Sequence, residues 1–351
     1  MTEGSRARRW FQSRPPFCCS EADCLPQHCV AGETYFVDNP LEGTIIPSTM
    51  RTHVLVGVVA LGLFTADTFV AGQEAVPNLS TDKTMFWSAA DLQARWTDNE
   101  RLKRINSRIY NGPTNISANV RIVLPGDEPQ THDTTADLWI VTEGTATAET
   151  DGSMAKANGI TTINNGVRRP VHPGDVLYVP PGVPHHFTDV QGFRAWLIRF
   201  DTVGLVRTKP APQTTAMPDV ATDKTTFWSA ADINARWKEN EEKKRINSRI
   251  FNGPANISAN VRIVLPGDEP QTHMETADLW LVMAGDAVAR TDGQIVDENG
   301  KKSIRNAVAR NVHAGDVLYV PPGIPHHFTD MKGFRAWLIR FDVDGWGQQT
   351  K

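Results

Sequence analysis

Histidines and carboxylates form two similar groups along this chain, and these are residue types that bind transition metals. In the first group His132 follows a Pro-Gly-Asp-Glu turn, Asp137 comes five residues later, and His185 follows a Pro-Pro-Gly turn. Two imidazoles and one carboxylate form a facial triad that suits Fe(II) and leaves coordination positions open, with Mn, Cu or Zn as alternative ions. The group therefore predicts a metal site that can take part in chemistry.

The second group repeats the first at a constant offset of 141 residues, as His273, Asp278 and His326. Long stretches recur at the same offset, so the copies carry no net insertion. An internal repeat of this length indicates two structural units. We predict domains over residues 81–204 and 222–345, joined by a Pro/Thr-rich linker over 205–221.

Strand periodicity indicates which neighbouring side chains share the site, because alternate residues of a strand lie on one face. Gln130 has the parity of His132, so both side chains can point inward. Trp139 has the parity of Asp137 and is a candidate for the substrate pocket, with a core position as the alternative. The remaining pocket candidates are Arg121, Arg262 and Trp280.

The sequence of each unit predicts one helix followed by short strands. Ser88 and Asp91 resemble a capping box that opens a helix ending near Lys103. Stretches rich in β-branched and aromatic residues predict strands over 119–124, 138–142, 176–179 and 195–200. Residues 145–169, where the copies differ most, are expected to form a loop and an edge strand. Short strands with frequent turn signals indicate a closed or double-sheet β fold.

Two motifs resemble those of the cupin superfamily. The second cupin motif, G-x5-P-x-G-x2-H, is matched in full in both copies, at Gly174, Pro180, Gly182, His185 and at Gly315, Pro321, Gly323, His326. The first motif, PG…H-x-H-x4-E-x6-G, is matched with two departures in each copy. Gln130 stands where the first histidine belongs, and Asp137 stands where the glutamate belongs.

The resemblance implies an all-β protein of two tandem jelly-roll β-barrels, each preceded by a short helix. It also implies one divalent transition metal per domain at the barrel mouth. The implied ligands are His132, Asp137, His185 and Gln130 in the first domain, and His273, Asp278, His326 and Gln271 in the second. Aspartate is shorter than glutamate, so a turn or hydrogen-bonding role for Asp137 is an equal alternative to ligation.

Composition limits the classes of partner. A formal net charge of -4 does not indicate the basic surface that nucleic-acid binding requires, so we do not expect a nucleic-acid partner. The four cysteines, Cys18, Cys19, Cys24 and Cys29, all lie near the N-terminus, so disulfides cannot cross-link the repeats.

An apolar run from Val54 to Phe64 follows Met50-Arg51 and precedes the small residues Val70-Ala71-Gly72. This pattern predicts that translation begins at Met50, with a signal peptide over 50–72 that is too short to span a bilayer and a non-structural or mis-called upstream extension over 1–49. The expected location is the periplasm or the cell exterior, with no membrane contact after cleavage. A hydrophobic segment within a longer leader is the alternative.

The leading expectation is a metal-dependent cupin enzyme, an oxidoreductase of the dioxygenase or oxidase kind, acting on a small organic acid, phenol or sugar. The alternative is a non-catalytic module that binds a small molecule or a sugar. A metal with a purely structural role is a third hypothesis. A structural site would have a closed coordination shell, whereas a catalytic site keeps one position open. The resemblance further suggests that the two domains pair with each other within one chain.

Overall fold

A computed structural model describes residues 76–111, 116–202, 205–207, 219–343 and 346–348, all within one unit, Val70–Lys351. The expectations for 1–49 and for the signal peptide over 50–72 lie outside the described residues. Within the described ranges no helix has the length and apolar character needed to cross a membrane.

The first repeat contains one helix and ten strands among these residues. In chain order they are β1 (Met85–Trp87), α1 (Ala89–Leu102), β2 (Asn106–Asn111), β3 (Ser117–Ile122), β4 (Thr135–Thr150), β5 (Ser153–Ala157), β6 (Ile160–Asn164), β7 (Val167–Val171), β8 (Val176–Val179), β9 (His185–Asp201) and β10 (Leu205–Arg207).

The second repeat contains the same series. Its elements are β11 (Thr226–Trp228), α2 (Ala230–Lys243), β12 (Asn247–Asn252), a 3₁₀ turn (Pro254–Asn256), β13 (Ser258–Ile263), β14 (Thr276–Thr291), β15 (Gln294–Glu298), β16 (Lys301–Arg305), β17 (Val308–His313), β18 (Val317–Val320), β19 (His326–Asp342) and β20 (Trp346–Gln348). The predicted all-β class, with one short helix before each set of strands, is confirmed.

Helix α1 begins and ends as its sequence predicts. The Ser88 side chain accepts a hydrogen bond from the Asp91 backbone N–H, and the Asp91 carboxylate accepts one from the Ser88 backbone N–H. Lys103 ends the helix in the left-handed conformation. Trp96 packs edge-on against Trp196, with ring centroids 5.3 Å apart, so the helix lies against the strands beneath it.

The strands form two large antiparallel sheets of the same design, and each includes a strand from the other repeat. In the described part of the first repeat the order is β11-β8-β4-β9-β3-β2, with β7 also paired to β4. The second repeat has β1 in the place of β11. Strands β10 and β20 also pair across the repeats, although β10 lies in the stretch predicted as linker.

Strands β4 and β9 pair along most of their length and carry the curvature of the first sheet. Register shifts occur between Val141 and Glu143 and between Glu143 and Thr145. Gly144 lies at the second of these shifts and has a φ of +67°. A Cβ at this position would clash with the Gln191 carbonyl oxygen. Only glycine fits such a position, so the bend depends on this residue.

Over 145–169 the expected edge strand is present as β7, which pairs only with β4 among the described strands, but the expected loop is wrong. Strand β4 continues to Thr150, β5 and β6 form a separate two-stranded hairpin, and β7 pairs with β4. Sequence difference between the copies reflects exposure here, because β5 and β6 contain mostly exposed or half-buried residues. An exposed strand tolerates many side chains while its backbone pairing is kept.

The two faces of the β4–β9 ribbon pack into different cores. Trp139, Val141 and Leu197 belong to a cluster inside the first sheet's curve. Leu138 and Ile198, on the opposite face, belong to a larger cluster that includes buried residues of both repeats. The alternation of a strand thus gives one face to the interior of the repeat and one face to the contact between repeats.

Candidate metal centre

Each histidine or carboxylate of the first group lies close to the start of a strand. His132 lies just before β4, Asp137 is near the start of β4, and His185 is the first residue of β9. In the ladder His185 pairs with Thr150, roughly 40 Å along the strand from Asp137. The curl of the ribbon nevertheless brings the two side chains together, with His185 Nε2 at 3.5 Å from Asp137 Oδ2.

The three donor groups face one another in both repeats. His132 Nε2 also lies 3.5 Å from Asp137 Oδ2, and one donor atom from each residue lies within 4.8 Å of the others. The second repeat has His273 at 3.7 Å and His326 at 3.4 Å from Asp278 Oδ2. Each repeat therefore carries a His/Asp/His group that can hold a metal ion.

An arginine that the motif analysis missed completes the group. Arg199 lies directly opposite Asp137 in the ladder, and its Nε and Nη2 donate to the two Asp137 carboxylate oxygens at 2.6 and 2.7 Å. The same Nη2 lies 2.7 Å from His132 Nε2. Arg340 makes the matching contacts to Asp278 and His273, at 2.6 to 2.8 Å.

A signal for this arginine was present in the sequence. Arg199 interrupts the run Ala195–Phe200 and has the parity of Ala195 and Leu197, which face the interior of the repeat. A charge on an interior-facing position needs a counterion. Asp137, itself on a strand with interior parity, is that counterion.

Burial and charge set the protonation of the group. Burial by itself raises the pKa of Asp137, but the hydrogen bonds and the charge of Arg199 outweigh it and hold that pKa well below its usual range. Burial lowers the pKa of His185 to about 4, against the opposing effect of the Asp137 charge. At neutral pH the group therefore contains a carboxylate beside a neutral His185 imidazole, the states that metal coordination requires.

The tautomer of His185 leaves a free lone pair. Its Nδ1 lies 3.4 Å from the Val183 carbonyl oxygen, which can only accept, so this contact places the proton on Nδ1. Its buried Nε2 has no hydrogen-bond partner among the described residues. An unpartnered imidazole nitrogen beside a carboxylate fits a metal ion, and the donor set as a whole fits the transition metals predicted from the sequence.

Gln130 and Gln271 contact the group through their backbones. The Gln130 N–H donates to the His185 carbonyl oxygen at 3.0 Å, and the His185 N–H donates to the Gln130 carbonyl oxygen at 2.9 Å. Gln271 and His326 form the same bridge. This pair of bonds fixes where each second-motif histidine enters the site.

The pocket candidates Arg121 and Trp139 lie near His185. Arg121, Gln130, Trp139 and His185 line one cavity. The Arg121 guanidinium lies over the Trp139 ring, 5.7 Å from its centroid, and Arg262 repeats this over Trp280 at 5.6 Å. The Arg121 Nε and Trp139 Nε1 groups are buried and lack hydrogen-bond partners within the described ranges. The same is true of Arg262 Nε and Trp280 Nε1 in the second repeat.

No protein-family model and no curated protein sequence matches the chain. Solved structures similar to it include Streptomyces albus HEPD with 2-hydroxyethylphosphonate and Fe(II) bound, at 10% identity and a TM-score of 0.42 over 76% of this chain and 78% of that one. A mutant of salicylate 1,2-dioxygenase from Pseudoaminobacter salicylatoxidans matches at 14% identity and 0.43, over 77% and 86%. Bacillus subtilis oxalate decarboxylase matches at 15% and 0.35, over 77% and 75%.

Two antiparallel sheets of the same design, each carrying a His/Asp/His group within the two motifs, confirm the β fold that the cupin-like motifs predict.

Proposed function

We propose that this protein is a metal-dependent oxidoreductase of the dioxygenase or oxidase kind, with one divalent transition metal per repeat. The observation that carries the proposal is the His/Asp/His group, in which a buried carboxylate lies within 3.5 Å of two imidazole nitrogens. His132, Asp137 and His185 would hold the first ion, and His273, Asp278 and His326 the second. Fe, Mn, Cu and Zn all suit these donors.

Three protein ligands leave positions for substrate on a transition metal. When bound, the metal would supply the Lewis-acid and redox centre of the reaction. The chain's residues prepare the site for the ion. The Gln130 bridge holds His185 in place, and before an ion binds Arg199 keeps the Asp137 carboxylate ionised by donating two hydrogen bonds to it.

The cavity beside His185 favours a small organic acid over a phenol or a sugar as substrate. Arg121 Nε and Trp139 Nε1 are buried N–H donors with no acceptor in the described structure, and both residues line this cavity. Burial lowers the pKa of Arg121 to about 10, which still leaves the guanidinium charged at neutral pH. A substrate carboxylate would satisfy these donors and the positive charge together, once side chains move to enlarge the cavity from its volume of about 20 Å³.

The second candidate is a binding module without turnover. It is favoured by Arg199, which occupies both Asp137 oxygens and lies against His132 Nε2. In such a module the cavity would capture an acid or a sugar, and the arginine would serve in place of an ion.

Two further parts of the proposal concern the whole chain. We propose that the two repeats pair within one chain in place of a homodimer, supported by the exchange of β1 and β11 between the large sheets. Light scattering should then give a monomer.

We also propose export after cleavage following Gly72, tested by the intact mass of the secreted protein.

The test of function is metal content. The purified protein, without a His tag, should contain about two equivalents of one transition metal by mass spectrometry, one per donor group. The His185→Ala/His326→Ala variant should contain none. Oxygen uptake is then screened with small acids, phenols and sugars. Absence of metal from wild type after reconstitution would leave the binding module as the better account.

A further inference from the structure

We propose that Arg199 and Arg340 compete with the metal for its own ligands, so that each site alternates between an arginine-closed state and a metal-loaded state. The inference rests on the proposed function, because it concerns the ion that the His/Asp/His groups would hold. It assigns the two arginines a role in metal affinity and selectivity.

The competition follows from lone pairs. A neutral imidazole has one acceptor nitrogen, and His132 Nε2 lies 2.7 Å from Arg199 Nη2, in position to accept its hydrogen bond. That nitrogen cannot accept this bond and coordinate a metal at once. The histidine must therefore lose its arginine contact before it can serve as a ligand.

Charge adds to the competition. The first donor group contains a single carboxylate, and the Arg199 guanidinium already neutralises it through two hydrogen bonds. A divalent ion placed between Asp137 and the histidines would lie within a few ångströms of the guanidinium. Repulsion at such a distance is strong because Asp137 is 1% exposed and solvent screens the interaction poorly.

The arginine has a route out of the site. Its side chain is 28% exposed, whereas that of Asp137 is 1% exposed, so the guanidinium lies on the solvent side of the carboxylate. Arg340 and Asp278 differ in the same way, at 31% and 1%. A rotation of the flexible arginine side chain can therefore free the donors while the strands stay in place.

The closed state also explains how a buried carboxylate is tolerated without metal. An unpaired buried charge is strongly destabilising, and the bidentate arginine compensates for it. Metal uptake exchanges one cation for another at Asp137. Ions with high affinity for imidazole and carboxylate, such as Cu(II) and Zn(II), should displace the arginine more readily than Mn(II).

The test is calorimetric titration of metal-free protein with Zn(II) and Mn(II) at one pH. The variants are Arg199→Gln/Arg340→Gln and, as a control on the same strands, Arg194→Gln/Arg335→Gln. Arg194 and Arg335 make the same charge change but pair with Glu100 and Glu241, away from the donor groups. We expect the first variant to bind Zn(II) at least about ten-fold more tightly than wild type. The control should bind as wild type does.

If the glutamine variant does not fold, Arg199→Lys/Arg340→Lys keeps the charge but loses the bidentate contact, and its affinity should also exceed that of wild type. Wild type supplies a second measurement. Its metal-binding rate in stopped flow should level off at high Zn(II), because release of the arginine becomes limiting.

The outcomes separate the two proposals. Metal binding by wild type together with equal or weaker binding by the glutamine variant overturns the competition and leaves the proposed function intact. Binding by the variant but not by wild type supports the competition and counts against a metal-dependent function. Absence of binding in every protein tested would remove both.

Discussion

Asp137 is the residue on which the site depends most, because it contacts Arg199 and faces both histidines. It is buried on β4, and its charge is kept by the guanidinium opposite it in the ladder. The aspartate stands where cupins have glutamate, yet its carboxylate lies within 3.5 Å of both imidazole nitrogens. The shorter side chain therefore still reaches the histidines.

We predict that Asp137→Asn reduces both stability and metal content. The change leaves Arg199 without its counterion, and because that side chain is partly exposed the expected loss is about 2 kcal/mol in urea unfolding of the metal-free protein. Metal content should fall from about two equivalents to about one, since the second group is intact. Asp133→Asn, at an exposed neighbouring position, is the control. Equal stability of the two variants would contradict the role assigned to the Asp137–Arg199 pair.

At the scale of elements, the bend in the β4–β9 ribbon brings the donors together. Asp137 and His185 lie far apart along the ladder and meet only because the ribbon curls at Gly144. Gly285 occupies the same position in β14, where a Cβ would clash with the Gly333 and Lys332 carbonyl oxygens. The glycine of the first motif is thus a requirement of the backbone.

Gly144→Ala should therefore destabilise the protein by about 3 kcal/mol and lower metal binding in the first repeat. The matched control is Gly192→Ala. Gly192 also has a positive φ, +58°, but no atom lies within 4 Å of the position that an alanine methyl group would take there. Its cost should be about 1 kcal/mol, from backbone strain alone. Equal costs in the two variants, measured by urea unfolding, would refute the steric argument.

An aspartate side chain of each repeat also forms hydrogen bonds with the start of the helix in the other repeat. Asp316, in the turn before β18, accepts hydrogen bonds from the backbone N–H groups of Ala89 at 2.7 Å and His313 at 2.8 Å. Ala89 is the first residue of α1. Asp175 accepts from Ala230 at the start of α2 in the same way, at 2.6 Å.

We predict that Asp316→Ala costs about 2 kcal/mol, because two backbone N–H groups lose their acceptor in a largely buried position. Asp297→Ala is a suitable comparison, since Asp297 accepts from the Gly300 N–H in an exposed hairpin and its loss should cost under about 1 kcal/mol. Thermal or urea unfolding gives both values. A smaller effect for Asp316 than for Asp297 would show that this contact between repeats is weak.

At the scale of the molecule, the repeats share a core and exchange strands. One hydrophobic cluster includes buried residues such as Trp87 and Tyr110 of the first repeat and Tyr319 and Phe341 of the second. The ring centroids of Tyr110 and Tyr319 lie 6.0 Å apart. Because neither repeat completes its sheet or its core alone, we expect the two to fold as one unit.

Calorimetry should accordingly show one unfolding transition, with equal calorimetric and van't Hoff enthalpies. Trp87→Ala, on the exchanged strand β1, should lower the midpoint of that single transition without splitting it. Two resolved transitions, or a shift in only one of them, would mean that the repeats unfold independently.

The sequence by itself determined the repeat, the helix boundaries and the residues of the donor groups. Each of these depends on patterns that are local in the sequence: a capping box at the start of the helix, and motifs whose residues are close in the chain. Strand β8 also follows directly from its four consecutive apolar residues.

Only the tertiary structure decided what lies between and around the donors. The strands within 145–169, the exchange of β1 and β11, and the contact of Arg199 with Asp137 all depend on pairing between distant segments. Backbone hydrogen bonds between distant strands leave little periodic pattern in the sequence, because the backbone forms them whatever the side chains are. Arg199 lies 62 residues from Asp137, and only the curled ladder places that guanidinium on the atoms that a metal would use.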